Sequence, residues 1–129
     1  MVEEKQSGPI RSILKEDPSI ISWWGTSVEC FSALCRRWRD RTFNDLEFQK
    51  LRKRSSRLMN EVDFVSPSNI VRDRAIRLLA THPLRSADAL QLAAALRWIQ
   101  DETKGVGFVC LDEQLRAAAS AEGFTLFPE

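Results

Sequence analysis

The chain has 129 residues, enough for one domain that buries roughly two-thirds of its unfolded surface. Hydrophobic residues make up 43% and charged residues 29%, an ordinary soluble composition, and a net charge of +1 points by itself to no partner. Three cysteines, Cys30, Cys35 and Cys110, with no CxxC pair, speak against a secreted disulfide scaffold and for a reducing, cytoplasmic setting. Met1–Gly8 is charged and lacks the apolar run of a signal peptide. Asp88, Gln91 and Arg97 break the most apolar segment, so no membrane span is expected.

In chain order, Pro9 suits the first turn of a short helix with Ile10, Ile13 and Leu14 on one face, ended by Asp17-Pro18. "SIISWWG" is a short apolar run between Pro18 and Gly25, the pattern of a buried strand. "TSVECFSALCRRWRD" has helical periodicity and predicts Val28, Phe31, Leu34, Cys35 and Trp38 facing inward. Asn44 is a natural cap for a helix from Asp45 to about Asn60. Phe64-Val65 predicts a very short strand. Ser66-Pro67 opens a helix to about Thr81, and after "HPLRS" an Ala/Leu-rich helix runs to near Lys104-Gly105. "VGFVCL" is the clearest strand. A helix from Glu113 to Glu122, a left-handed cap at Gly123 and a last strand "FTLF" complete the chain. Short apolar strands between helices define an α/β class with a parallel sheet, and no linker divides residues 1–129.

Three acids stand at helix starts. Glu29 follows "SIISWWG", Asp112 follows "VGFVCL", and Asp88 opens the Ala/Leu helix. Strand-to-helix junctions of a parallel sheet lie along its carboxyl rim, where ligands bind. Each acid also has a purely structural reading. Thr26 and Glu29 fit a capping box, Asp112 is a good N-cap, and Asp88 suits the positive end of a helix dipole. Asp88 tips the balance, because its helix is apolar almost all round, and a charge there needs a partner. Arg85 is one such partner; a cation shared with the other acids is another. Converging carboxylates repel one another unless a cation intervenes, and oxygen ligands of this kind suit Mg²⁺ or Mn²⁺.

Taken in order, "TSVECFSALCRR", "RSADALQLAAAL" and "FVCLDEQLRAAASAEGFTLF" resemble three signatures of the PIN domain, most closely those of VapC-type toxins of toxin–antitoxin pairs. The resemblance covers the chain from about Glu3. It implies a three-layer α/β/α fold around a central parallel sheet, and a carboxylate cluster that uses Mg²⁺ or Mn²⁺ to cut RNA. Glu29, Asp88 and Asp112 match the family's catalytic, metal-holding acids. It further implies a cognate antitoxin and a homodimer. Two departures stand out. The family begins with a central strand ending in an Asp, and nothing here matches it, so the chain is expected to be N-terminally truncated with that strand absent. Cys110 stands where a Thr or Ser commonly precedes the last acid, and a thiol hydrogen-bonds more weakly than a hydroxyl.

The function these features imply is a metal-dependent endoribonuclease, the toxin of such a pair; the alternative is a catalytically degenerate PIN-like module that keeps partner binding. Nine Lys/Arg against three acids between Arg36 and Arg57 suit phosphate contacts, with Arg36, Arg37, Arg52 and Lys53 as candidate RNA contacts; a solvated helix face explains the same run. His82, the one histidine, lies in a Pro-containing loop and reads as structural. Trp23 and Trp24 point to opposite faces of their strand, one into the core and one under a helix.

Overall fold

Residues 20–129 are described by the structure, a computed structural model; the predicted helix after Pro9 lies outside them. The first strand, β1 (Ile21–Trp23), turns at Gly25 into α1 (Thr26–Arg39). The loop back to α2 (Asp45–Asn60) is locked twice. Asp40 accepts hydrogen bonds from the backbone N–H and hydroxyl of Thr42 (3.1 and 2.6 Å), and Arg41 adopts a left-handed φ of 70°. Asn44 and Glu47 then form a reciprocal capping box, each side chain accepting from the other's backbone N–H.

The α1–α2 hairpin closes on aromatic rings. Phe48 is buried, with Trp38 stacked on it at 4.4 Å between centroids and Phe31 tilted against it at 6.1 Å. The Trp38 indole N–H donates to Asp45 (2.8 Å). The inward face expected for α1 is narrower in the structure. Only Leu34 is fully buried, Phe31 sits at the edge, and Val28 is 70% exposed. The reason is that α1 packs chiefly on α2, so only the face toward that helix is covered.

β2 (Asp63–Val65) pairs in parallel with β1. Ser68, not Pro67, marks the start of α3 (Asn69–Thr81), its hydroxyl accepting from the Val71 N–H. Helix α3 lays Val71, Ala75 and Leu78 against α4 (Ser86–Trp98), which buries Ala89, Leu92, Ala93, Ala94 and Leu96. Alanines at i and i+4 let the two backbones approach closely. Buried Leu and Val side chains of this kind contribute roughly 1.5–3 kcal/mol each.

Helix α4 ends at Trp98, earlier than its composition predicts. Gln100 takes a left-handed φ of 53°, its N–H bonds the Arg97 carbonyl, and the Asp101 N–H bonds the Leu96 carbonyl. That is a Schellman closure without glycine. Asp101 is held by Arg74 (2.8 Å), which fixes the turn from outside.

β3 (Gly107–Val109), α5 (Glu113–Ala121) and β4 (Thr125–Phe127) finish the fold, with β3 and β4 parallel. Gly123 caps α5 at φ 104°, and a Cβ there would strike the Thr103 hydroxyl. His82 bonds Glu122 (2.9 Å), tying the α3–α4 turn to the end of α5, which agrees with a structural role.

The parallel α/β class is as expected, but the described strands form two separate two-stranded sheets, β1–β2 and β3–β4. Both rest on one core. Trp23 from β1 and Phe108, Val106, Cys110 and Leu126 from the other sheet all pack on the cluster centred on α4. Of the two tryptophans expected to be covered, one in the core and one under a helix, Trp23 packs on the core and Trp24 is 59% exposed.

Candidate functional site

Asp112 ends the segment leaving β3. Its carboxylate accepts from the Leu115 N–H (2.9 Å) and so caps α5 as the sequence predicts. Asp88 lies in the first turn of α4, whose N-cap, Arg85, makes no side-chain cap bond. The Asp88 side chain is only 16% exposed. The two acids meet at one cation. The Arg85 guanidinium is 3.8 Å from Asp88 and 3.9 Å from Asp112.

Burial pushes the Asp88 carboxyl up from its ordinary range and the Asp112 charge pushes it further, while Arg85 opposes both. Cys110 shares the neighbourhood. Burial raises its thiol to about 11, Arg116 pulls it down, and Asp112 and Asp88 push it up. Arg116 also donates to the Cys110 carbonyl (2.9 Å), which fixes the path of the chain from β3 to Asp112.

Glu29 is placed differently from expectation. The predicted capping box with Thr26 does not form. Gly25 is the N-cap of α1, no side chain caps that end, and the Thr26 hydroxyl accepts from Ser22 (2.8 Å). The Glu29 carboxylate accepts instead from the Gln91 side-chain amide at 2.6 Å. Gln91 lies one turn beyond Asp88 on α4, so all three acids border the first two turns of that helix. They do not converge as closely as a three-ligand metal site requires. Among the described residues no group of three His, Cys, Asp or Glu side chains is placed to hold an ion. Asp88 and Asp112 are brought together; Glu29 stands beside them, held by Gln91.

The remaining sequence candidates lie on the α1–α2 hairpin. Arg36 and Arg37 occupy the last turn of α1, where they also favour the helix dipole. Arg52 and Lys53 are exposed on α2, with the Arg52 guanidinium 5.0 Å over the Phe31 ring. An open cleft between Trp38, Arg41 and Asp45 lies at the far end of the hairpin, away from the acid pair. Sequence reasoning missed Gln91. The signal was present: a lone amide in an Ala/Leu helix, one turn from Asp88.

No protein-family model matches the chain, and neither does any curated protein or solved structure. No helix among the described residues is long and apolar enough to cross a membrane.

Proposed function

We propose that the chain is a metal-dependent endoribonuclease of the PIN type, the toxin of a toxin–antitoxin pair. One observation carries the reading. Two carboxylates from distant parts of the sequence share one guanidinium, and one of them is largely withdrawn from water. A pair of carboxylates is the donor set with which Mg²⁺ or Mn²⁺ binds when waters and phosphate oxygens complete its shell. Asp88 and Asp112 would hold the ion, and Glu29 would reach it through water. Such an ion polarises a phosphodiester and lowers the pKa of bound water. Arg85, released from the acids, would pair with the phosphate, and the strip from Arg36 to Lys53 would track the RNA backbone. A single three-layer α/β/α arrangement, an antitoxin partner, a homodimer and a cytoplasmic setting belong to the same reading.

A second reading has its own support. Arg85 bridges the acid pair and offsets part of its charge, as a partner-binding module that has lost catalysis would arrange it.

Cleavage separates the two. Structured RNAs are incubated with the protein and Mg²⁺ or Mn²⁺, beside Asp88→Asn, which keeps shape and removes charge. Metal-dependent cleavage that the variant loses supports the nuclease. Absence of cleavage by the parent overturns it in favour of the binding module.

A further inference from the structure

Trp24 is the most exposed aromatic side chain among the described residues. Single apolar groups at a surface are ordinary, but this one differs in how it is held and in what it adjoins. Its backbone N–H donates to the Val65 carbonyl (3.1 Å), so it continues the pairing of β1 with β2. Its ring stands edge-to-face on Trp23, 6.5 Å between centroids, and Trp23 packs on the core around α4. Gly25 comes next, where a Cβ would strike the Trp23 indole, so the turn out of the strand is tied to the same ring. The Gly25 carbonyl then accepts from the Glu29 N–H (3.2 Å), and the Glu29 carboxylate accepts from Gln91, one turn past Asp88. A peptide bond, two hydrogen bonds and one turn of α4 thus join Trp24 to Asp88, with no free loop between them. Two cations lie in the same part of the molecule. The Arg85 side chain, 81% exposed, stands at the acid pair, and Arg52 lies over the Phe31 ring, one turn beyond Val28 on α1.

We infer that Trp24 is a base-stacking platform, taking the face of one unpaired base of a single-stranded RNA whose backbone passes the acid pair. The inference rests on the nuclease reading for the identity of its ligand and deepens it by naming the form of RNA. A base inside a duplex has both faces covered by its neighbours, so the strand at Trp24 is unpaired. An indole near guanidinium groups matches a base joined to phosphates. An apolar protein segment would cover the indole and leave those charges unanswered. Every base has a π-face, so Trp24 selects for an accessible base and not for a sequence. Its fixed ring serves this better than a mobile one, because less side-chain freedom is lost when the base arrives.

The test is binding in EDTA, where metal-dependent cleavage is silent, read by fluorescence anisotropy. Two end-labelled RNA octamers are compared: octauridylate, and an octamer with the same phosphates and riboses but no bases. The protein is expected to bind octauridylate about tenfold or more tighter than the abasic octamer. Trp24→Ala, or Trp24→Gln should the alanine variant not fold, binds the two alike. Trp24→Phe keeps most of the preference, and Trp98→Ala, which removes another exposed indole, keeps all of it. The salt dependence of abasic binding is the same throughout, since phosphate contacts are untouched. Four results overturn the inference: the protein binds neither octamer, it binds both equally, the preference survives loss of the Trp24 ring, or Trp98→Ala abolishes it as well. The nuclease reading fails or stands separately. A protein that cleaves RNA in Mg²⁺ yet treats the octamers alike keeps the nuclease and loses the stack, and one that prefers octauridylate yet never cleaves does the reverse.

Discussion

The Gln91 side-chain amide donates to the Glu29 carboxylate at 2.6 Å, joining the first turn of α1 to the second turn of α4 across 62 positions of sequence. The bond fixes where α1 leaves β1 and orients an acid beside the Asp88–Asp112 pair. Hydrogen bonds to charged groups are worth about 1.5–3 kcal/mol, and this one is only partly buried. Gln91→Ala is therefore expected to lower stability by about 1–2 kcal/mol in urea unfolding. Glu29→Gln, which keeps an acceptor oxygen, should cost less. Equal losses in both variants would show that the charge of Glu29, and not its acceptor, matters there.

Asp88 makes stability depend on pH in a definite direction. Its folded-state pKa is raised, so between the ordinary carboxylate range and that higher value the native state binds more protons than the unfolded chain. Stability then falls as pH rises through this window, and above it the loss is complete. Asp88→Asn removes the cause. The variant is expected to be as stable as the parent at pH 7, or more stable by up to about 1 kcal/mol, and to lose its advantage near pH 4. Thermal unfolding at the two pH values measures this. A divalent ion on the pair offsets the same repulsion, so millimolar Mg²⁺ should raise the parent's Tm by about 2–4 °C. EDTA should reverse the gain, and Asp88→Asn should show none.

The basic hairpin predicts a salt response. Each phosphate contact to single-stranded nucleic acid contributes about 0.7 to the slope of log affinity against log salt. Arg36 and Lys53 are both exposed, so Arg36→Ala with Lys53→Ala is expected to cost little stability. The double variant should lower the slope for RNA binding by about 1.4, with no change in sequence preference. An unchanged slope assigns these charges to solvent.

Local signals were legible in the sequence where one residue decides the outcome. Asn44, Asp112 and Gly123 each cap a helix end as their chemistry predicts, and the four strands fall on the four apolar runs. Tertiary choices were less legible. The end of α4 is set by Gln100 in a left-handed conformation, and Arg74, from another helix, holds the next residue. Val28 and Trp24 have the right type for burial but are exposed among the described residues. At the site, Asp88 and Asp112 could be read as helix-opening acids, but their meeting was not legible, because α4 follows a helix and not a strand. The separate anchoring of Glu29 did not follow, because the capping box competes with a long-range amide and sequence spacing sees only the former.

Cys110 offers a local reporter for the acid pair that does not depend on cleavage. Its thiol is raised to about 11, chiefly by burial and then by Asp112 and Asp88, with Arg116 opposing. At pH 8.5 the thiolate is therefore about 0.3% of the total, and alkylation by iodoacetamide should be correspondingly slow. The rate should climb with pH well beyond the range of an ordinary thiol. Neutralising the neighbouring charges favours the thiolate, so Asp88→Asn and Asp112→Asn should each speed the reaction severalfold. Mg²⁺ seated on the pair acts in the same direction. Alkylation in a Cys30→Ala, Cys35→Ala background should accelerate with added Mg²⁺, and the acceleration should vanish in Asp88→Asn. A rate that ignores Mg²⁺ while responding to Asp88→Asn would leave the two acids neighbours of the thiol but not holders of an ion.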